Sequence, residues 1–129
     1  MKSTQMLKPR TEWRIKLNDK RTEIRITRLK TAKEHIEYLV KNTELKQNFG
    51  FFKVRTNSFS THMMDMRVDV IFVDDDEQVI GMYQDMKEMV LTPSHEGSKY
   101  VYILGAGTIR ANQIKMGDVM SHQKWKRRD

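Results

Sequence analysis

Residues 67–83 read Arg-Val-Asp-Val-Ile-Phe-Val-Asp-Asp-Asp-Glu-Gln-Val-Ile-Gly-Met-Tyr, and this stretch decides the fold. Val68, Val70 and Phe72 recur at every second position, the period of a strand, and Ile71 and Val73 keep the run mostly apolar. Four consecutive acids, Asp74 to Glu77, cannot share a buried strand, so they mark a solvated reversal. Beyond them Val79-Ile80-Gly81-Met82-Tyr83 resumes the β-rich pattern. Two such runs joined by a short polar tip predict a hairpin.

Towards the N-terminus, Gly50 to Val54 reads as another short apolar strand. Thr31-Ala32-Lys33-Glu34 fits a capping box, in which the threonine hydroxyl and the glutamate carboxylate each satisfy an orphan amide. Behind it, Ala32, Ile36, Leu39 and Val40 fall at spacings of three and four and predict the apolar stripe of an amphipathic helix ending near Asn42–Leu45. Trp13, Ile15 and Leu17 alternate with Arg14 and Lys16, and Ile24 and Ile26 with Glu23 and Arg25. With Asn18-Asp19-Lys20 between them, these form a hairpin with a basic outer face. Towards the C-terminus, Tyr100 to Leu104 is a strand, Thr108 a cap for a helical turn over 109–112, and Gly117-Asp118 a turn into Val119–Met120. The expected organisation is a tail over 1–11, one β-rich domain over 12–122 and a basic tail over 123–129. The fold class is mainly β (α+β), an antiparallel sandwich or barrel-like domain with one amphipathic helix and one short helical turn.

At 129 residues and 38% hydrophobic composition the chain can bury one core. It has no cysteine, which excludes disulfides, thiolate metal sites and a cysteine nucleophile. The first ten residues carry no apolar signal-peptide core, and no apolar run approaches the roughly 20 residues that span a bilayer. The expectation is a soluble, cytoplasmic protein with no membrane partner. The net charge is +7, unevenly spread. Residues 1–56 hold 15 Lys/Arg against 6 Asp/Glu, residues 57–121 hold 5 against 10, and the last eight residues hold 4 against 1. A basic half suits an anionic partner, or simply a solvated face.

The segment Asn57-Ser58-Phe59-Ser60-Thr61-His62-Met63-Met64-Asp65-Met66-Arg67-Val68-Asp69-Val70-Ile71-Phe72 resembles the bacterial family known as domain of unknown function 192. That family typically reads Asn-Ser-Ile-His-Thr-Phe-Gly-Met-Arg-Phe-Pro-Ile-Asp-Val-Val-Phe there. Later, Ala106-Gly107-Thr108-Ile109-Arg110 and Ile114-Lys115-Met116-Gly117-Asp118 are similar to its closing Ala-Gly-Thr-Ile-Glu and Ile-Lys-Val-Gly-Asp, so the likeness runs over about residues 22–121. It implies a compact β sandwich or barrel-like fold with one or two short helices, and no activity, since the family has none established. It also points to Asn57, Ser58, Thr61, Met64, Asp69, Gly107 and Thr108 as candidates for a ligand site. The chain departs from the pattern at His62-Met63 (Phe-Gly), Asp65 (arginine), Arg67 (proline), Gly105 (proline) and Gln113 (glycine).

Other chemistry is weaker. On a strand His62, Met64 and Met66 would share one face, offering soft ligands for a cation such as Cu(I). Methionine is equally a filler of irregular cores, and ten are spread along this chain. Ser58, Ser60, His62, Asp65 and Asp69 offer hydroxyl, imidazole and carboxylate, the parts of a hydrolase, but a single extended segment seldom aligns them. Asp69 is better suited to accepting backbone hydrogen bonds. The acidic tetrapeptide lacks the spread ligands and glycine of a calcium loop. Gly105-Ala106-Gly107-Thr108 lacks the lysine of a phosphate-binding loop.

The basic positions make the best case for a partner. They are Arg14, Lys16, Lys20, Arg21, Arg25, Arg28 and Lys30 in the hairpin, and Lys124, Trp125, Lys126, Arg127 and Arg128 in the tail. Such cations contact phosphates, and a tryptophan among them stacks on bases. The leading expectation is a non-enzymatic binding module for an unidentified ligand or protein, with no cofactor and no metal. The alternatives are a nucleic-acid-binding accessory protein and a hydrolase built on His62.

Overall fold

A computed structural model describes residues 12–124. The expected tail over 1–11 and the candidates Trp125, Lys126, Arg127 and Arg128 lie outside the described residues. The elements are β1 (Trp13–Leu17), β2 (Lys20–Arg28), α1 (Ala32–His35) running into a π-helical turn (Ile36–Val40), and β3 (Phe49–Val54). They continue with β4 (Val68–Asp74), β5 (Val79–Met86), β6 (Ser98–Gly105), α2 (Thr108–Asn112) and β7 (Met120–Lys124).

The β4–β5 hairpin forms where the alternation places it. Its tip is an Asx-type turn, in which Asp74 Oδ1 accepts from the amides of Asp76 and Gln78, both at 2.9 Å. β4 is buried from Val68 to Val73 because β5 and β6 flank it and both its faces are covered. The sheet has seven strands in the order β5-β4-β6-β3-β2-β1-β7. Its two edges meet through a bridge between Gln78 and Val119, with Val79 N donating to Asp118 O at 2.8 Å and Met120 N to Glu77 O at 2.7 Å. The curl encloses one apolar cluster, including Ile15, Ile24, Ile71, Tyr102 and Leu104, into which Ile109 and Ile114 also pack. The opposite cluster, Phe51, Val70, Phe72 and Ile103 among others, is covered by Leu39, Phe59 and Met64.

The mainly β class holds, and the expected antiparallel pairing needs one correction: β2 and β3 run parallel. Residues 29–48 lie between them, and a helical crossover of that length returns the chain to run in the same direction. The helix needs a second correction. Its capping box is present, with Thr31 Oγ1 accepting from Glu34 N and Glu34 Oε1 from Thr31 N, each at 3.1 Å. Of the predicted stripe, Leu39 is buried, but Ala32 is exposed and Ile36 is 44% exposed. After one α-turn the chain widens, with Lys41 N donating to Ile36 O at 2.8 Å. A wider turn rotates the buried face away from α spacing, and Tyr38 stacks on Phe51 with ring centroids 5.5 Å apart.

Residues 57–67 are not a strand, so His62, Met64 and Met66 do not share a face. Only Ser60 bridges, to Leu91, and the chain turns at His62–Met63, leaving both exposed and Met64 fully buried. At α2 the cap is Gly107 rather than Thr108, with φ +97°, and Gln113 closes the helix at φ +55°, ψ +41°. The family's glycine therefore falls where the backbone is left-handed, a conformation that costs a non-glycine residue about 1 kcal/mol or more. Gln113→Gly is expected to raise stability by about 0.5–1 kcal/mol in thermal unfolding, and a fall in the midpoint would contradict this backbone assignment.

Candidate anion-binding site at one end of the sheet

The positions shared with the family divide between two tasks inside the fold. Asp69 is fully buried on β4. Its Oδ1 accepts from Asp85 N at 2.8 Å, and its Oδ2 from Gly107 N at 3.1 Å and Ile109 N at 2.9 Å. It thus ties β5 and the start of α2 to the centre of the sheet. Thr108, also fully buried, donates to Gly105 O at 2.6 Å and accepts from Asn48 N at 2.9 Å. Asp69, Gly107 and Thr108 therefore come together, with their polar atoms engaged by backbone.

Thr61 and Met64 lie in the other segment. Thr61 Oγ1 donates to Lys87 O at 2.6 Å and accepts from Val90 N at 2.9 Å, and Met64 fills the covered face of the sheet. Asn57 is exposed and Ser58 half-buried; the Asn57 carbonyl accepts from His95 N at 2.8 Å. The His62 ring makes no hydrogen bond to Ser58, Ser60 or a carboxylate among the described residues, and the Ser60 hydroxyl accepts from the His62 amide. Among those residues no group of three or more histidine and carboxylate ligands gathers.

The basic hairpin splits as well. Lys16 pairs with Asp19 at 3.3 Å and Arg25 with Glu23 at 3.9 Å, which moderates their charge. Arg28 and Lys30 stand at the other end, where β2, β3 and β7 finish and β1 begins. There they border a cleft of about 490 Å³, together with His35 of α1, Lys53 of β3 and the hydroxyl residues Thr31 and Thr56. Among the described residues Arg28, Lys30 and Lys53 form no ion pair with a carboxylate. Lys53 is half-buried, and desolvation pulls its pKa below the usual lysine value. Burial, and then the neighbouring Lys53 charge, lower that of His35. The Nδ1 atom of His35 is buried without a hydrogen-bond partner among the described residues.

Sequence reasoning missed Lys53 and His35. The available signal was a lysine inside the apolar run Phe51-Phe52-Lys53-Val54.

A second cleft, of about 330 Å³, adjoins the first by sharing Arg28 and Lys30. Its lining residues further include Glu12, Trp13, Thr27, Glu34, Tyr38 and Lys124. Trp13 is held by edge contacts to Phe52 at 5.8 Å and His122 at 5.1 Å. His122 accepts or donates at Nδ1 with the Tyr102 hydroxyl, 2.8 Å away. Burial, aided by Lys99 and Arg28, lowers its pKa to about 4. It is therefore neutral near pH 7, and the Tyr102 hydroxyl can donate to it.

The fold is similar to that of a crystallised protein of unknown function from Novosphingobium aromaticivorans, with TM-score 0.62 and 22% identity, over 75% of this chain and 72% of that one. It is also similar to a crystallised protein of Sinorhizobium meliloti, provisionally designated a transcription regulator, with TM-score 0.74 and 14% identity, over 90% of this chain and 97% of that one. At these identities the likeness is one of fold. None of the curated proteins matches the chain significantly. No helix among the described residues is long and apolar enough to cross a membrane. The pattern of domain of unknown function 192 (DUF192, "Uncharacterized ACR") matches residues 14–122, and with nearly all of the described sheet inside that match the chain belongs to this family.

Proposed function

We propose that the protein is a non-enzymatic binding module that holds an anionic group in the cleft beside Lys53. One observation carries this reading: a half-buried lysine with no carboxylate partner among the described residues borders a cleft that Arg28 and Lys30 also border. Taking an ammonium partly out of water is unfavourable, and a bound anion offsets that penalty while gaining charge-assisted hydrogen bonds. The hydroxyl of Thr31, which accepts from the Glu34 amide, adds a neutral donor at the same wall, whereas that of Thr56 donates to Val54 O at 3.3 Å. The Asp69–Thr108 cluster supports the fold instead, because its side-chain oxygens already serve backbone amides and carbonyls.

Calorimetric titration with inorganic pyrophosphate tests the proposal. Binding is expected at low ionic strength and weakens as salt screens the cleft. Lys53→Met, which keeps the aliphatic stem and removes the charge, is expected to weaken it about tenfold or more, since a charged hydrogen bond contributes about 1.5–3 kcal/mol. An affinity unchanged by this substitution would remove the cleft from consideration.

A further inference from the structure

We infer that the cleft beside Lys53 takes a small anion carrying a short aliphatic chain, with the anion at Lys53 and the chain against Ala32 and Ile36. This rests on the anion-binding reading of that cleft and assigns the chemistry of what is attached to the anion.

One face of the sheet carries the whole site. Lys53 shares a face of β3 with Phe51, two residues before it, and Tyr38 of the π-helical turn stacks on Phe51. The same apolar cluster holds Leu29, just past β2, and Phe59, against which the His35 ring lies with centroids 6.2 Å apart. The helical segment therefore covers the face from which Lys53 projects, and the cleft opens between them.

The helical wall is apolar where a solvated helix would be polar. Ala32, His35 and Ile36 stand at i, i+3 and i+4, one face of a helix, and all three line the cleft. Continued α spacing would turn that face into the core together with Leu39. The wider turn, in which Lys41 N donates to Ile36 O, instead buries Leu39 and leaves Ala32 exposed and Ile36 44% exposed. Single exposed apolar side chains are commonplace, but these two share one concavity with a half-buried ammonium.

Size and charge agree with such a ligand. No carboxylate lines the cleft, so nothing there repels an anion at Lys53. Its volume of about 490 Å³ falls within the roughly 300–1,000 Å³ of small-molecule sites. Inorganic phosphate alone would leave the part beside Ile36 to water, whereas an aliphatic group displaces that water and covers apolar surface. His35 joins the two regions, adjacent to Ile36 in sequence and near enough to Lys53 to feel its charge. Burial, and then that charge, lower its pKa, so near pH 7 the chain meets a neutral ring.

The test compares methyl phosphate, n-butyl phosphate and inorganic pyrophosphate by calorimetry on the intact protein. n-Butyl phosphate is expected to bind about tenfold more tightly than methyl phosphate, because each half-covered methylene contributes about twofold. Ile36→Ser replaces an exposed side chain and is expected to reduce that ratio to about two, whereas Lys53→Met weakens both alkyl phosphates about equally. A ratio near one in the unaltered protein, or one that survives Ile36→Ser, overturns the inference. If pyrophosphate binds in a Lys53-dependent way while the alkyl chain adds nothing, the anion site still stands. If pyrophosphate fails to bind as well, the anion site falls too. Two further arms name other occupants. Vesicles of phosphatidylcholine and phosphatidic acid that capture the protein without competition from n-butyl phosphate would assign this face to a membrane surface. A short peptide ending in leucine that binds more tightly than n-butyl phosphate and displaces it would assign the cleft to a chain terminus. Either result overturns the inference.

Discussion

Asp69→Ala is expected to lower the unfolding free energy by about 3–4 kcal/mol in urea titration, more than any other side-chain truncation in the polar framework. The carboxylate is completely buried and accepts three backbone amides, from Asp85, Gly107 and Ile109. Each amide has left water, and alanine offers it nothing, so the loss combines three charge-assisted bonds with the penalty of stranded donors. Two of those amides open α2, whose N-cap Gly107 has no side chain to do the same work. The substitution thus uncaps α2 and detaches it from β4 in one step, and Ile109 and Ile114 lose the anchor that seats them in the core. Asp69→Asn gives the intermediate case. Its amide oxygen can serve Gly107 and Ile109, but its NH₂ then faces the Asp85 amide, and a loss of about 2 kcal/mol is expected. A loss below about 1 kcal/mol for the alanine variant would show that water or neighbouring groups replace the carboxylate.

How far the sequence reveals this arrangement depends on whether the signal is local. The β4–β5 hairpin is legible because its period and its acidic tip belong to consecutive residues. The capping box is legible for the same reason. The parallel pairing of β2 with β3 is not, because direction is decided by what covers the crossover rather than by either strand's pattern. The rotation of the helix face is hidden too. Nothing in Ile36-Glu37-Tyr38-Leu39-Val40 announces a widened turn, and stacking of Tyr38 on Phe51 selects it across 13 residues of chain.

The segment 57–67 looks extended by spacing yet turns at Met63, with φ +65°, because Thr61 is tied to Lys87 and Val90 on a distant loop. The site shows the same divide. Arg28, Lys30 and Lys124 are visible as charge, but the cleft exists only where strand ends from three parts of the chain meet, and Lys53 and His35 gain their meaning from burial.

Gly105→Ala is expected to cost about 3 kcal/mol or more, although it adds a single methyl group to a strand. A Cβ there would stand 2.0 Å from the Lys46 carbonyl oxygen and 2.3 Å from its carbon, with Leu45 O at 2.7 Å. Those are backbone atoms, so no side chain can swing aside. Either β6 gives up its pairing with Val68 or the chain at 45–46 moves outward and disturbs the turn that begins β3. A proline, the residue usual in the family here, carries the same Cβ. Gly105→Pro is therefore no rescue in this chain, whose 45–46 segment has closed onto the glycine. Gly97→Ala isolates the effect. That glycine has φ +88° but open space around a new Cβ, so it suffers backbone strain alone, about 1 kcal/mol. Urea midpoints of the two variants should differ accordingly, with Gly105→Ala the lower by the equivalent of about 2 kcal/mol. If the two variants unfold together, the close approach of residues 45–46 to the end of β6 is absent from the folded protein in solution.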